Sequence, residues 1–373
     1  MFWNGVAEDI VANLLAAAAF GSVTVGVAYW RFSGRLERLR HWIHPIRPDG
    51  RVIVAAEGDL SPTQPKKNDP TPFRSPISLH ERDELVAFYE RLNLITTSNG
   101  RVIRLDSLEP QVGVSVVNYF DLLATNLTAF SANTSLLSTA ASVTAMWRWV
   151  KLRPVIDKVI IASRTTGRHP ATAKEVLSNP YLANVAGVSI LLLDKEHMAL
   201  FTQHPRNPAA ASDAWQPTAT GTVGVADLAN EDPFAATARR VLIEHVGLKP
   251  EAVEATTLSL EAVVLPKRKL QPYFCYIGMI SGPWAECLPE LGSGDTKSGM
   301  LDNGLKFRLI DAGNAKAMAR FCRVAQESQT TSFLAWRCSS QLLGEDELAA
   351  AWRHRWTWAG FQHPSSSRTH LTT

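Results

Sequence analysis

Cysteine is scarce and badly spaced for chemistry. The chain of 373 residues has four, Cys275, Cys287, Cys322 and Cys338. None forms a CxxC pair and none has a histidine at zinc spacing, which excludes a disulfide framework and a zinc motif and predicts reduced thiols in a cytosolic domain. Charge of one sign is lacking too. A net charge of +3 is too small to hold a nucleic-acid polymer by bulk attraction. No GxSxG turn and no HExxH pair occurs, and the ten histidines are scattered. GSGDTKSG (292–299) has Lys297-Ser298 but Thr296 where a phosphate-binding loop needs glycine, so it reads as a surface loop. Internal repeats are also missing. What remains is 46% hydrophobic and 20% charged, a globular composition long enough for one large domain or two modest ones.

Long hydrophobic runs are rare, with one exception. IVANLLAAAAFGSVTVGVAYW, from Ile10 to Trp30, holds no charge. A helix of about 20 residues rises about 30 Å, the depth of a bilayer's hydrocarbon core. Tyr29 and Trp30 close the run as interfacial aromatics would. Arg31, Arg35, Arg38 and Arg40 follow it, whereas Glu8 and Asp9 precede it. The pattern predicts one membrane anchor over 8–30, with the amino terminus outside and the rest of the chain cytoplasmic. A secretory signal would carry its bases before the run. A buried, Ala-rich soluble helix is the other alternative. Ala17/Gly21 and Ser22/Gly26, small residues four apart, would allow close helix approach in lipid.

The rest alternates strand and helix signals, an α/β pattern. A basic juxtamembrane helix and connector are expected over 31–105. Within it GRVIVAAEGDL (50–60) reads as a buried strand and 61–76 as a Pro-rich loop. Ser78 and Glu81 form the capping box of a helix carrying Leu85, Phe88, Tyr89 and Leu92. These pieces form either a small linker module or additions to the next domain. The main domain is expected over 106–345. SVVNYFDLLATNLTAF (115–130) reads as a helix, 136–150 as a core element too short to span a bilayer, and DKVIIASR (157–164) as a strand. A hairpin follows over 185–203, then a loop and the strand TGTVGVADL (220–228). Beyond lie strands 256–266 and 271–280 around Lys267-Arg268-Lys269, the strand LKFRLI (305–310) and a helix over 312–327. Residues 346–373 are expected to be a Trp-rich C-terminal helix and a disordered tail.

Between these elements, NEDPFAATARRVLIEHVGLKP (230–250) reads as an amphipathic helix ending at Gly247. Residues 220–248 and the strand order around them resemble the Nudix family. Its signature is Gly, five residues, Glu, seven residues, then Arg-Glu-apolar-x-Glu-Glu-x-Gly-apolar. Anchored on Gly247 and Leu248, the match supplies Arg240 and Glu244, with Asp232 at the upstream Glu position and Ala226 (near Gly224) at the opening glycine. Val241 and His245 replace two carboxylates. Such hydrolases hold Mg²⁺ with several carboxylates on one helix face, so this degenerate box keeps the scaffold and loses the metal set. The expected fold is a Nudix-like α/β/α sandwich preceded by a transmembrane helix.

Anchor, connector and degenerate box together resemble the transmembrane Nudix effectors of bacterial cyclic-oligonucleotide antiphage systems (CBASS), whose sensor is the SMODS-associated Nudix domain. The segment NYFDLLATN (118–126) is similar to segments ahead of such domains. The chain departs in showing one membrane segment where two are often described. The one run over 8–30 predicts a single-pass protein, and the resemblance implies the bacterial inner membrane, with no catalytic residues, metal or cofactor. A partner nucleotidyltransferase makes a cyclic oligonucleotide, which the domain binds without hydrolysis; homo-oligomers then disrupt the bilayer and the infected cell dies. Arg240, Lys267, Arg268 and Lys269 would hold phosphate, with Tyr273 and Phe274 as stacking rings; the other readings are Arg240 as a structural tie of the helix to the sheet and 267–269 as a solvated turn. The alternatives are a membrane-tethered Nudix hydrolase of a nucleoside-diphosphate derivative, and a scaffold that binds protein.

Overall fold

The computed structural model describes residues 47–57, 65–67, 72–91, 99–128, 143–163, 172–203, 215–267, 269–288, 298–301, 303–325 and 328–353. The expected anchor (8–30), nearly all of the juxtamembrane helix (31–46), Arg268 and the tail beyond 353 lie outside them. Among the described residues no helix is long and apolar enough to cross a membrane.

The architecture is mixed α/β. A sheet of eight strands runs in the order β1 (Val52–Glu57), β8 (Thr257–Pro266), β9 (Tyr273–Met279), β5 (Gly187–Leu193), β6 (Met198–Gln203), β11 (Lys306–Asp311) and β10 (Ser298–Met300). The remaining strand, β7 (Ala219–Thr222), pairs with β5. The β5–β9 pair is parallel and the other pairs are antiparallel. Every residue of β5, GVSILLL, is buried, as a strand covered on both faces requires.

Side chains alternate between the two covers. Val188, Ile190, Leu192, Phe274 and Tyr276 join one core; Leu191, Leu193 and Cys275 join the other. The first is covered by a helix over Pro233–Val241, whose Phe234, Ala238 and Val241 are buried in it. The second is covered by helices Ala315–Val324, Gln329–Leu343 and Glu345–Arg353. The helix Gln329–Leu343 has no counterpart in the sequence reading.

The connector belongs to this body. β1 pairs with β8 from Val52↔Pro266 to Glu57↔Ala262. β3 (Arg101–Ser107) pairs with β4 (Gly113–Asn118), and Ala186 N–H donates to the Ile103 carbonyl at 2.8 Å while Ile103 N–H donates to Val223 at 3.0 Å. Strand pairing therefore crosses the expected boundary at 105/106, and of the two possibilities, additions to the next domain is the one found.

Two segments differ from the sequence reading. Residues 157–163 are not a strand; they end the helix Val143–Ser163. Val159-Ile160-Ile161 is β-branched, but Leu152, Val155, Ile156 and Val159 pack at helical spacing against Leu85, Phe88, Tyr89 and Leu123. Residues 115–118 are strand rather than helix, because Val116 and Val117 pair with Ile103 and Val102. The helix starts at Tyr119 and continues as a π-turn over Leu123–Leu127. Strand 220–228 is also shorter than expected: β7 ends at Thr222 and a 3₁₀ turn, Val225–Ala229, follows.

Candidate functional site

The box helix begins at a cap. Asp232 Oδ1 accepts from the N–H groups of Phe234 and Ala235, both at 2.9 Å, and Pro233 occupies the first turn. The residue at the upstream Glu position therefore holds the helix start. The helix widens into a π-turn over Leu242–Val246 and stops at Gly247, where φ is 86°. A Cβ at Gly247 would meet nothing within 4 Å, so the left-handed backbone alone demands glycine there.

Arg240 is held by several bonds within the fold. Its Nε donates to Asp227 Oδ1 at 3.2 Å and Nη2 to Asp227 Oδ2 at 3.0 Å. Nη1 donates to Glu244 at 2.9 Å and Nη2 to the Thr222 carbonyl at 3.3 Å. Burial pulls the guanidinium pKa down, but Asp227 and Glu244 outweigh it and hold the group above its ordinary value. Arg240 ties the helix to β7 and to the turn after it, with four of its five N–H groups engaged. No signal in the sequence marked Asp227, thirteen residues upstream.

Of the three helix positions compared above with box carboxylates, Val241 is buried while Glu244 and His245 are exposed. Val241 is 1% exposed and sits on β7 where that strand has Gly221: a Cβ there would lie 2.3 Å from Val241 Cγ1. His245 Nδ1 meets the Thr220 carbonyl at 3.0 Å, which requires the proton on Nδ1. Glu244 is the one carboxylate on this stripe, and it is paired with Arg240. A hard divalent cation needs several oxygen ligands in one place, and this stripe does not fit it. Among the described residues no three His, Cys, Asp or Glu side chains group as a metal set.

The other expected ligand groups are divided. Phe274 is fully buried and stacked on Phe234, ring centroids 3.7 Å apart at 18°, so it is a core residue without a free face. Tyr273, next in the strand, points to the opposite core; its hydroxyl donates to Gln271 at 2.9 Å. Lys267 lies exposed at the β8–β9 turn, with its backbone N–H on the Arg51 carbonyl at 3.1 Å and Nζ on the Gly50 carbonyl at 2.9 Å. Lys269 is half-buried, and burial lowers its pKa. The turn sits at the same end of the sheet as Arg240, since Thr222 pairs with Gly187 and Gly187 with Tyr273.

The segment NYFDLLATN is a structural tie. Asp121 accepts from Asn118 N–H at 3.0 Å and from Arg82 Nη1 at 3.3 Å. Thr125 Oγ1 accepts from Ala183 N–H at 3.2 Å. Asn126 accepts from Asn184 N–H at 3.1 Å and donates to the Leu270 carbonyl at 3.1 Å. Its polar residues thus fasten the helical layer to the sheet beside the lysine turn. No protein-family model matches the chain, and no curated protein matches it.

Proposed function

We propose that the chain is a membrane effector of a cyclic-oligonucleotide antiphage (CBASS) system. Its Nudix-like domain binds a cyclic nucleotide without hydrolysing it, and the bound state drives assembly and membrane disruption through the segment 8–30. The protein is single-pass in the bacterial inner membrane with this domain in the cytoplasm. The observation that supports the reading is the box helix itself. Its cap, its terminal glycine and its Arg240 tie are all present, while Val241 fills the place of a metal-binding carboxylate against Gly221. A hydrolase would need that carboxylate face open. A binding domain needs only the scaffold and a ligand that favours the assembled state over the dispersed one.

Calorimetry of the protein against cyclic di- and trinucleotides, paired with membrane-permeability assays in cells, tests this. Binding to one of them, with toxicity that disappears on deleting 8–30 while binding persists, is the expected outcome. Full toxicity without that segment contradicts it.

A further inference from the structure

Lys267 is bonded to the segment that leads in from the expected anchor. Its backbone N–H donates to the Arg51 carbonyl at 3.1 Å, which extends the β1–β8 ladder one step beyond Val52↔Pro266. Its ammonium donates to the Gly50 carbonyl at 2.9 Å, and this second bond belongs to no ladder. It joins residues 217 positions apart and is exposed. Asp49, Gly50 and Lys267 are themselves exposed, so solvent and solutes reach the ammonium.

Gly50 lies in the 3₁₀ turn Asp49–Arg51, the first described element after the basic stretch 31–46. Its N–H donates to the Arg47 carbonyl at 3.1 Å and to Asp49 Oδ1 at 2.9 Å, while Arg51 N–H donates to the Pro48 carbonyl at 3.1 Å. Such turns are short and their bonds poorly aligned, so contacts from outside fix their position. Two are present. The Arg47 guanidinium, paired with Asp49 at 3.2 Å, lies 5.0 Å from the ring centroid of the buried Trp336. The other contact is the Lys267 ammonium.

We infer that the Lys267–Gly50 bond is a ligand-released latch: a nucleotide phosphate draws the Lys267 ammonium off the Gly50 carbonyl and frees the turn that joins the sensor domain to the membrane segment. An ammonium bonds an anionic phosphate oxygen more strongly than a neutral carbonyl, so the exchange runs toward the ligand. The latched and released turns then differ in affinity for the nucleotide, as a ligand-driven shift requires. This rests on the proposed function and supplies its step from binding to the membrane segment.

The test is hydrogen–deuterium exchange over 47–51 in the full-length protein, held in dodecyl maltoside micelles, which carry no phosphate. The ligands are cyclic di-AMP, cyclic di-GMP and cyclic tri-AMP, with binding of each measured by calorimetry on the same sample. A nucleotide that binds should speed exchange over 47–51 about 10-fold or more, as loss of one bond to a charged group does. Lys267→Ala should show that fast exchange without ligand, and nucleotide should add nothing to it. Exchange over 187–193, in the buried strand β5, should stay as in the wild type, which separates release of the turn from general unfolding. Suppose a nucleotide binds but exchange over 47–51 is unchanged or slower, the latter meaning that the ammonium bridges both oxygens. The latch is then overturned and the proposed function stands, as it does if Lys267→Ala leaves ligand-free exchange unaltered. If the wild type binds none of the three nucleotides, both are overturned.

Discussion

Asn126 Nδ2 donates to the Leu270 carbonyl at 3.1 Å, joining residues 144 positions apart in the chain. The same side chain accepts from the Asn184 N–H at 3.1 Å. Leu270 (φ 48°) holds left-handed backbone that a leucine adopts at a cost, and Asn184 (φ 41°) holds the same region, which asparagine tolerates better. One buried amide thus secures both positions, one of them next to Lys269. Asn126→Ala leaves a carbonyl and an N–H buried without partners, and should destabilise the protein by about 3 kcal/mol in urea unfolding.

Gly221 and Val241 can be tested as a pair. Gly221→Ala forces a Cβ to within 2.3 Å of Val241 Cγ1 and should cost about 2 kcal/mol. Val241→Ala creates a cavity, but in the double variant the two changes should compensate by about 1 kcal/mol in a double-mutant cycle. Strict additivity would mean that the two side chains do not meet.

Arg240→Ala should act on stability first. It leaves Asp227, 7% exposed, without its cation. The pair is half-buried, so the loss should be about 2 kcal/mol, short of that for a fully buried pair. Glu244→Gln breaks the more exposed pair and should cost less than about 1 kcal/mol. Equal losses in thermal unfolding would contradict this division.

Much of this arrangement was legible in the sequence. Ser78 and Glu81 announced the helix Leu79–Arg91, and their reciprocal bonds are present at 2.9 and 3.2 Å. Local chemistry of this kind depends on residues three apart. The hairpin of β5 and β6 and the strands β8 and β9 follow from alternation and turn residues, equally local signals. The box helix was readable from Asp232 to Gly247 for the same reason. Contacts across the chain were not. Whether Val159-Ile160-Ile161 is strand or helix is decided by Leu85, Phe88 and Leu123, not by its own propensity. Phe274 looked like a ligand ring because its Phe234 partner is forty residues away.

Acid should expose the contact between the helix Leu79–Arg91 and the long helix Val143–Ser163. The bond from Lys158, reinforced by the Ser78 N–H, holds the Glu81 carboxyl down to about 2 from 4.5. A depressed carboxylate stabilises the fold above its unfolded pKa and ceases to do so as pH falls through its folded one. The contribution, below about 1 kcal/mol for so accessible a pair, should be lost between pH 4.5 and 2. Lys158→Met should flatten that part of the stability profile in urea titrations at successive pH values. An unchanged profile would mean that the pair does not form in solution.

The most direct test is the fate of the ligand. Full-length protein is incubated with Mg²⁺ and whichever cyclic oligonucleotide it binds, then denatured, and the released nucleotide is resolved by chromatography. The account predicts intact cyclic ligand recovered in full, with no linear product accumulating over time. Steady Mg²⁺-dependent cleavage that Glu244→Gln abolishes would contradict it and restore the hydrolase reading.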